Sequence, residues 1–287
     1  MREAAWGRVG TLLEMIKFSH TVFALPFALT GMVLAAGGIP GLWTLFWIVA
    51  AMVGARTAAM AWNRIADARI DAANPRTADR HLPAGTVRPA EAWVLALGGA
   101  ALLVLAAWAL NPLCLALSPL ALAVLFLYPY AKRFTTLCHY LLGLALAAAP
   151  LGAWIAVTGE WSWRIVPLGL AVLLWVAGFD VLYALQDEDF DRRAGLHSVP
   201  QRWGRGRALK LAGRLHAAVV VLLALQIPLF GLGLWYALGV AAVAALLLYE
   251  HALLTPRDLS RLDAAFFSMN GVISVVVFVA TLVDVGL

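Results

Sequence analysis

Nine long apolar runs, separated by short polar segments, are the feature that most constrains how this chain folds. A helix needs roughly 20 mostly apolar residues to cross a bilayer. The runs cover residues 20–38, 42–66, 91–109, 112–130, 138–158, 164–186, 210–230, 234–254 and 266–285. Because they are long and apolar on all sides, they predict membrane-spanning helices rather than barrel strands. We therefore expect an all-α polytopic membrane protein with one membrane-embedded domain, residues 1–287.

The composition supports this prediction and excludes other classes of protein. Of the 287 residues, 63% are hydrophobic and only 13% are charged, and the mean hydropathy is +0.86. Ordinary soluble domains have about 45–50% apolar and about 25% charged residues. A disordered chain, a nucleic-acid-binding domain and a typical soluble enzyme are therefore excluded. The two cysteines, Cys114 and Cys138, form no CxxC pair, so we expect neither a disulfide nor a metal–thiolate site.

Lysine and arginine are distributed very unevenly between the two sides of the predicted helices. With a cytoplasmic N-terminus, 19 of the 21 lie in cytoplasmic segments, while Arg164 falls outside and Arg56 falls within a span. This bias predicts insertion in the inner (cytoplasmic) membrane, with the N-terminus cytoplasmic and the C-terminus outside. Residues 1–19 predict an amphipathic segment on the membrane surface. A cleaved signal peptide is the alternative for this region, but many more apolar spans follow it.

A first polar cluster closes the second apolar run, where Asn63, Asp67 and Asp71 recur at intervals of four. On a helix this spacing places all three side chains on one face. Two carboxylates so close together repel each other unless a cation lies between them. Oxygen ligands of this kind suit Mg²⁺, which binds a few carboxylates together with substrate phosphates. We expect residues 67–90 to form a cytoplasmic loop that carries this motif.

A second polar cluster closes the sixth apolar run, where Asp187 and Asp191 repeat the spacing of four. Residues 187–209 are the corresponding cytoplasmic loop in our interpretation, and each motif is followed by a basic segment. Solvated acidic helix ends are the alternative for either motif alone. Two copies that are equivalent in topology favour two metal-binding walls that face one another. Arginines near the first motif are suited to an anionic phosphate group, namely Arg76 and Arg80.

Three further features are candidates for the same site. Tyr128 and Lys132 lie on the cytoplasmic side between the fourth and fifth runs, although a Tyr and Lys pair also anchors helices at the membrane interface. Arg56 and Asp180 are ionisable groups within spans, and such groups usually face a polar cavity. Each lies seven residues before a motif, nearly two helical turns, and so on the motif's face. A structural pair between Arg56 and Asp180 is the alternative.

The chain resembles the UbiA superfamily of membrane prenyltransferases. The resemblance rests on Asn63-x3-Asp67-x3-Asp71, Arg76-Thr77-x2-Arg80-x-Leu82-Pro83-x-Gly85, Tyr128-x3-Lys132 and Asp187-x3-Asp191. It implies nine transmembrane helices around a central cavity, capped by cytoplasmic loops and open laterally to lipid. Residues 183–187 and 195–200 are similar to the 4-hydroxybenzoate polyprenyltransferase group. Residues 195–200 also resemble a UbiA-like branch assigned to the futalosine route of menaquinone synthesis.

This resemblance implies transfer of a polyprenyl group from polyprenyl diphosphate to a hydroxylated aromatic acid in respiratory quinone synthesis, on the cytoplasmic side of the lipid bilayer. 4-Hydroxybenzoate is the expected acceptor, with 1,4-dihydroxy-6-naphthoate as the alternative. Two Mg²⁺ ions are the expected cofactors. The expected metal ligands are Asn63, Asp67, Asp71, Asp187 and Asp191. The expected catalytic residues are the same four aspartates and Lys132.

The remaining site residues are assigned by charge and chemistry. Four aspartates and a diphosphate carry more negative charge than two Mg²⁺ neutralise, so the site needs further cations. The expected diphosphate-binding residues are Asn63, Arg76, Arg80 and Lys132. An acceptor carboxylate needs an arginine partner, and charge-assisted bidentate pairing is its usual form. The expected acceptor-binding residues are Arg56, Tyr128, Asp180 and Tyr183.

Other functions fit the sequence less well. A secondary transporter has ion sites near the bilayer midplane on broken helices, whereas these carboxylates cluster at helix ends beside arginines. A CDP-alcohol phosphotransferase also uses spaced aspartates, but its Asp-Gly-x2-Ala-Arg opening is absent from this sequence. The second motif argues against haem O synthase and chlorophyll-type prenyltransferases within the superfamily.

Overall fold

The computed structural model describes residues 2–17, 23–256, 258–259, 261–262 and 269–286, without the side chains of residues 2–6. All regular structure in these residues is helical, which confirms the all-α prediction for the described part of the chain. The α-helices are α1 Arg2–Met15, α2 Leu25–Ala36, α3 Leu42–Ala73, α4 Pro89–Leu110, α5 Pro112–Ala131, α6 Cys138–Thr158, α7 Val166–Tyr183, α8 Glu188–Ala194, α9 Val199–Ala224, α10 Gln226–Phe230, α11 Leu234–Ala252 and α12 Asn270–Gly286. Short 3₁₀ turns, Trp163–Ile165 and Ala184–Asp187, flank α7.

Seven helical segments in the described residues are long and apolar enough to cross a membrane. They correspond to seven of the predicted spans, with α7 and α8 joined in one segment and α9 and α10 in another. The first and ninth predicted spans contain the shorter apolar helices α2 and α12, of 12 and 17 residues. Parts of those two spans, residues 20–22 and 266–268, lie outside the described residues. A polytopic membrane protein is therefore supported, and nine spans remain a prediction.

Both motif-bearing segments are more helical than the predicted loops. Residues 67–73 belong to α3, which runs for 32 residues and ends after the first aspartate motif. In the second segment α8 begins at Glu188, and α9 begins at Val199, where the Ser198 side chain accepts a hydrogen bond from the Gln201 amide. This N-cap and the proline at the start of α9 favour helix initiation. A left-handed Gly204, with φ of 75°, then kinks α9.

The core positions the two motifs by fixing the helices that carry them. Helix α7 packs against α6 and α9, and Trp175 at its centre is fully buried. Helix α3 packs along α4 at a point where two glycines meet. A Cβ at Gly54 would lie 2.7 Å from the Leu103 backbone nitrogen and 2.8 Å from the Gly99 oxygen. The backbones of α3 and α4 therefore approach each other closely, and α4 supports the helix that carries the first motif.

The predicted amphipathic segment 1–19 contains α1, whose C-terminal end contacts the rest of the protein. Met15 and Ile16 are buried against Ala61, Ala92 and neighbouring side chains of α3 and α4. Arg8 pairs with Glu91 at the start of α4. These contacts bring the last carbonyl groups of α1 and the residues after it next to the motif-bearing half of α3.

Candidate active site

The first motif lies on one face of α3, as its spacing predicts. Asp67 and Asp71 are each only 3% exposed. The Asn63 side chain donates from Nδ2 to Asp67 Oδ2 at 3.4 Å. A buried carboxylate is costly unless a cation or several hydrogen bonds compensate for its lost hydration. Two adjacent buried carboxylates therefore indicate a site built for positive charge.

Cations from two other segments contact these carboxylates. Lys132 Nζ lies 3.1 Å from Asp67 Oδ2, and Arg133 Nη2 lies 3.2 Å from Asp67 Oδ1. Arg80 Nη1 donates to Asp71 Oδ1 at 2.7 Å. Asp71 Oδ2 is buried and has no hydrogen-bond partner among the described residues. A carboxylate oxygen in that position is available to a metal ion.

The second motif is held by residues that follow the first motif. Arg76 donates from Nε and Nη2 to the two carboxylate oxygens of Asp187, at 2.8 and 2.5 Å. Asn74 Nδ2 donates to Asp187 Oδ1 at 2.9 Å, and Asn74 Oδ1 accepts from the Arg76 amide at 3.0 Å. Burial alone would lower the pKa of Arg76, but its hydrogen bonds and charge interactions with Asp187 and Tyr183 together outweigh burial and raise that pKa above its ordinary value. Arg76 is therefore a permanent cation between the two motifs.

Lys132 connects the two motifs from a third direction. It pairs with Asp67 and also interacts electrostatically with Asp187 and Asp191. Asp191 is 8% exposed and forms a hydrogen bond with the Ser198 side chain. Three of the five predicted metal ligands, Asp67, Asp187 and Asp191, thus interact with Lys132. Asp71 pairs with Arg80 instead, and Asn63 contacts Asp67. Among the described residues no three acidic, histidine or cysteine side chains form a ready-made metal-binding group.

The donor set nevertheless fits magnesium better than a softer metal. The candidate ligands are oxygen donors of carboxylate and amide groups, which Mg²⁺ prefers, and Mg²⁺ usually retains waters and substrate phosphates as further ligands. Asp71 Oδ2, buried and without a partner in the described part of the chain, is the specific observation that supports this fit. Asp67, Asp71, Asp187 and Asp191 are the residues that would hold the metal.

The predicted acceptor residues lie in two places. Tyr128 interacts electrostatically with Arg56, Asp67 and Asp180, which places these four in one region. Tyr183 instead accepts a hydrogen bond from Arg76 Nη1 at 3.0 Å and lies beside the second motif. The 3₁₀ turn Ala184–Asp187 follows α7, so the continuous α-helix assumed in predicting a common face for Asp180 and Asp187 ends before Asp187.

The alternative that Arg56 and Asp180 form a structural pair is also wrong. Asp180 Oδ2 lies 2.6 Å from His139 Nδ1, and Arg56 Nη2 donates to the Lys17 carbonyl at 3.1 Å. Arg56 Nε is buried without a partner among the described residues. Arg56 therefore retains an unsatisfied donor in the region of Tyr128.

Several residues that contact the site were not assigned a role from the sequence. Arg64 is 5% exposed, donates from Nε to the Met15 carbonyl at 3.3 Å, and interacts electrostatically with Arg56, Asp71 and Tyr128. Burial, followed by the charges of Arg64 and Arg80, lowers the pKa of Lys17, as expected in a strongly positive region. Adjacency to an assigned residue was the available signal for Arg64 and for Arg133. The other unassigned residues are Asn74, His139 and Ser198.

Similarity to known proteins extends over most of the chain. The model of the UbiA prenyltransferase family matches residues 24–272. A protein named 4-hydroxybenzoate octaprenyltransferase from Aeromonas salmonicida is 36% identical over 253 residues, which cover 83% of this chain and 82% of the relative. A protein of the same name from Vibrio campbellii is 32% identical over 277 residues, covering 96% of this chain and 93% of the relative.

Solved structures share the fold. The apo structure of a UbiA homologue from Aeropyrum pernix K1 superimposes with a TM-score of 0.85 at 38% identity, covering 93% of this chain and 98% of that one. A UbiA homologue from Archaeoglobus fulgidus, bound to DMAPP and Mg²⁺, has a TM-score of 0.73 at 21% identity, covering 96% of this chain and 99% of that one. At this lower identity, the second likeness concerns the fold alone.

Proposed function

Given that the chain belongs to the UbiA prenyltransferase family, we propose that it transfers a polyprenyl group from polyprenyl diphosphate to a ring carbon of 4-hydroxybenzoate. The protein is a membrane prenyltransferase, and its place would be in ubiquinone or menaquinone synthesis. The observation that carries the proposal is the bidentate contact of Arg76 with Asp187, which joins the two aspartate motifs into one cationic and acidic site. The names of the relatives support the choice of acceptor.

Magnesium is the proposed cofactor, with two ions held by the four motif aspartates and Asn63. Bound Mg²⁺ would neutralise negative charge on the diphosphate and make it a better leaving group. The homologue from Archaeoglobus fulgidus, which binds DMAPP together with Mg²⁺, supports the choice of metal. Asp71 Oδ2 supports it from this chain's own geometry.

The proposed diphosphate site is formed by Arg76, Arg80 and Lys132, with Arg133 as an addition to the predicted set and Asn63 alongside. Each of these four cations contacts a motif carboxylate. They are therefore fixed where negative charge develops as the diphosphate leaves, and such preorganised charge stabilises a transition state. Departure of diphosphate leaves an allylic cation, which a ring carbon of the acceptor attacks, and the ring then loses its proton.

The proposed acceptor site lies around Tyr128, between α3 and α7. Arg56 and Arg64 on α3 would bind the acceptor carboxylate, since a buried donor of Arg56 lacks a partner in the described part of the chain. Asp180 on α7 would contact the acceptor hydroxyl, and Tyr183 would lie nearer to the diphosphate through its contact with Arg76. Asp191 is a second candidate for positioning the acceptor. The packing of α3 and α7 around the site would exclude the water that would otherwise quench the allylic cation.

The membrane topology is part of the same proposal. We infer nine spans in the inner membrane, with the N-terminus and the active site on the cytoplasmic side and the C-terminus outside. The distribution of lysine and arginine supports this orientation. The seven long helices, together with α2 and α12, support the count.

A prenyl-transfer assay with two acceptors tests the proposal. Membranes that carry the protein are incubated with Mg²⁺, a polyprenyl diphosphate and either 4-hydroxybenzoate or 1,4-dihydroxy-6-naphthoate, and the product is identified by mass spectrometry. We expect prenylated 4-hydroxybenzoate. The dihydroxynaphthoate product alone would assign the futalosine branch, which residues 195–200 resemble. Absence of product from both acceptors would contradict the proposed reaction, and the transporter alternative would then be tested by substrate uptake.

A further inference from the structure

A histidine that no part of the proposed reaction uses contacts Asp180, a residue of the proposed acceptor site. His139 is the second residue of α6 and is 2% exposed. Its Nδ1 lies 2.6 Å from Asp180 Oδ2 on α7, while the Asp180 side chain remains 27% exposed. One partner of this pair is therefore buried, and the other is accessible. In this arrangement the buried His139 can fix the orientation of the accessible Asp180.

The second ring nitrogen defines which atom of His139 carries the proton. The Val199 amide donates to His139 Nε2 at 3.2 Å. A nitrogen that accepts a hydrogen bond carries no proton, so the neutral imidazole has its proton on Nδ1. His139 Nδ1 therefore donates to Asp180 Oδ2. The contact uses one oxygen of Asp180 and leaves Oδ1 to accept from another donor.

The segment that fixes His139 is itself held at several points. Val199 begins α9, and the preceding Ser198 forms a hydrogen bond with Asp191. The His197 amide donates to the Lys132 carbonyl at 2.6 Å, and Cys138 Sγ donates to the His197 carbonyl at 3.4 Å. Residues 197–199 are thus hydrogen-bonded both to the second motif and to the start of α6. His139 has little freedom to reorient, and Asp180 is held with it.

The exposed side of Asp180 belongs to the acceptor region. Tyr128 interacts electrostatically with Asp180 and also with Arg56 and Arg64 on the opposite helix, α3. 4-Hydroxybenzoate carries its carboxylate and its hydroxyl at opposite ends of the ring. With the carboxylate at the two arginines, the hydroxyl would point toward α7 and Asp180. Cations on one wall and a carboxylate on the other match the two polar ends of such an acceptor.

We propose that His139 is a positioning residue that holds Asp180 so that Asp180 Oδ1 accepts a hydrogen bond from the acceptor hydroxyl. This inference rests on the proposed function, because it assumes a hydroxylated aromatic acid as the acceptor. A hydroxyl that donates to a carboxylate raises the electron density of the aromatic ring, and the ring carbon beside it is the nucleophile. His139 acts through Asp180 and touches neither substrate.

Steady-state kinetics of His139→Ala, His139→Gln and Cys138→Ala test this role. We expect His139→Ala to raise the KM for 4-hydroxybenzoate and lower kcat, with a combined loss of about 10–100-fold, as is typical when a supporting partner of a site residue is removed. The KM for the polyprenyl diphosphate should not change. His139→Gln should restore most of the activity, because its amide supplies both a donor for Asp180 and an acceptor for Val199. Cys138→Ala removes only one of the contacts that hold residues 197–199, so it should cost much less activity than His139→Ala.

Binding of an acceptor analogue separates positioning from a general structural role. Benzoate carries the carboxylate of the acceptor but lacks the hydroxyl. The wild type should bind 4-hydroxybenzoate more tightly than benzoate in an equilibrium measurement on the membrane-embedded protein. His139→Ala should abolish this preference and leave benzoate affinity unchanged. Asp180→Asn, which keeps the size of the side chain but presents a donor to the hydroxyl, should do the same and serves as the second variant if His139→Ala does not fold.

The two hypotheses fail in different ways. Wild-type protein that transfers no prenyl group would contradict the proposed function. The comparison of benzoate binding with 4-hydroxybenzoate binding would then still test the positioning role of His139. An unchanged preference for the hydroxyl in both His139→Ala and Asp180→Asn would overturn the inference. Equal losses of 4-hydroxybenzoate, benzoate and diphosphate binding would also overturn it, because they would indicate general loosening of the site.

Discussion

Arg76 and Asp187, which are 111 residues apart in the chain, form a two-point contact across the site. Arg76 follows the first aspartate motif, whereas Asp187 begins the second. The side chains are 29% and 17% exposed, so the contact is partly shielded from water. Two parallel hydrogen bonds fix both distance and orientation. The contact therefore sets the relative position of the two motifs as well as their charge.

Replacement of Arg76 by lysine should impair diphosphate binding although the charge is retained. Lysine cannot make the two parallel hydrogen bonds of a guanidinium. A hydrogen bond to a charged group contributes about 1.5–3 kcal/mol, which corresponds to a roughly 10–100-fold loss of rate. Kinetics with varied polyprenyl diphosphate should show this loss in kcat/KM. Arg69→Lys, at an exposed position on α3, is the matched control, and an equal loss there would contradict this role of Arg76.

Asn74 should be sensitive to charge rather than to size. Its side chain donates to Asp187 and accepts from the Arg76 amide. Asn74→Asp keeps the shape but places a carboxylate against Asp187, and like charges at such short range repel each other. We expect Asn74→Asp to lower transfer more than Asn74→Ala does. Assays of both variants at equal protein levels measure the difference, and the reverse order would exclude this electrostatic explanation.

Lys132 and Arg133 should contribute unequally despite their shared partner. Both contact Asp67, and Lys132 in addition interacts electrostatically with Asp187 and Asp191. Lys132→Ala removes a cation that interacts with both motifs and should lower transfer at least about 100-fold, as loss of a preorganised charge does elsewhere. Arg133→Ala should cost less, because Lys132 still pairs with Asp67. Similar losses in the two variants would show that the position between the motifs is unimportant.

How much of this site the sequence could reveal depends on whether its residues share one helix. Asn63, Asp67 and Asp71 do share one, and a spacing of four is sufficient to place them on a common face of α3. The second motif begins at the end of a 3₁₀ turn, so residue spacing alone does not predict how Asp187 is oriented relative to α7. The positions of the long apolar runs were predictable because hydrophobic length determines them.

Contacts between distant segments could not be read from local patterns. His139 lies 41 residues before its partner Asp180 and 60 before Val199. Arg64 directly follows Asn63 in the sequence. Its burial and its contact with the Met15 carbonyl, however, depend on how α1 packs on α3. The apolar run that predicts the second span ends at residue 66, whereas α3 continues to Ala73. In this extension Asp67 pairs with Lys132 and Arg133, and Asp71 pairs with Arg80.

The close approach of α3 and α4 should make stability sensitive at Gly54. A Cβ at this position would contact backbone atoms of α4 at less than 3 Å, and backbone cannot move aside cheaply. We expect Gly54→Ala to destabilise the protein by about 1–3 kcal/mol, the usual cost of overpacking. Gly98→Ala is the control on α4, since nothing lies within 4 Å of its added methyl group. Apparent melting temperatures in detergent compare the two, and equal values would contradict the close contact.

The central claim is that both motifs together form one diphosphate site. Its most direct test measures the rate of prenyl transfer to 4-hydroxybenzoate as a function of Mg²⁺ concentration. The wild type should require Mg²⁺ and lose activity with a chelator. Asp67→Asn and Asp187→Asn should each abolish transfer at every Mg²⁺ concentration, because each removes a metal-binding carboxylate from a different motif. Asp189→Asn, at an exposed position in the same acidic segment, should retain activity. Wild-type transfer rates in either Asp67→Asn or Asp187→Asn, or Mg²⁺-independent transfer by the wild type, would contradict the account.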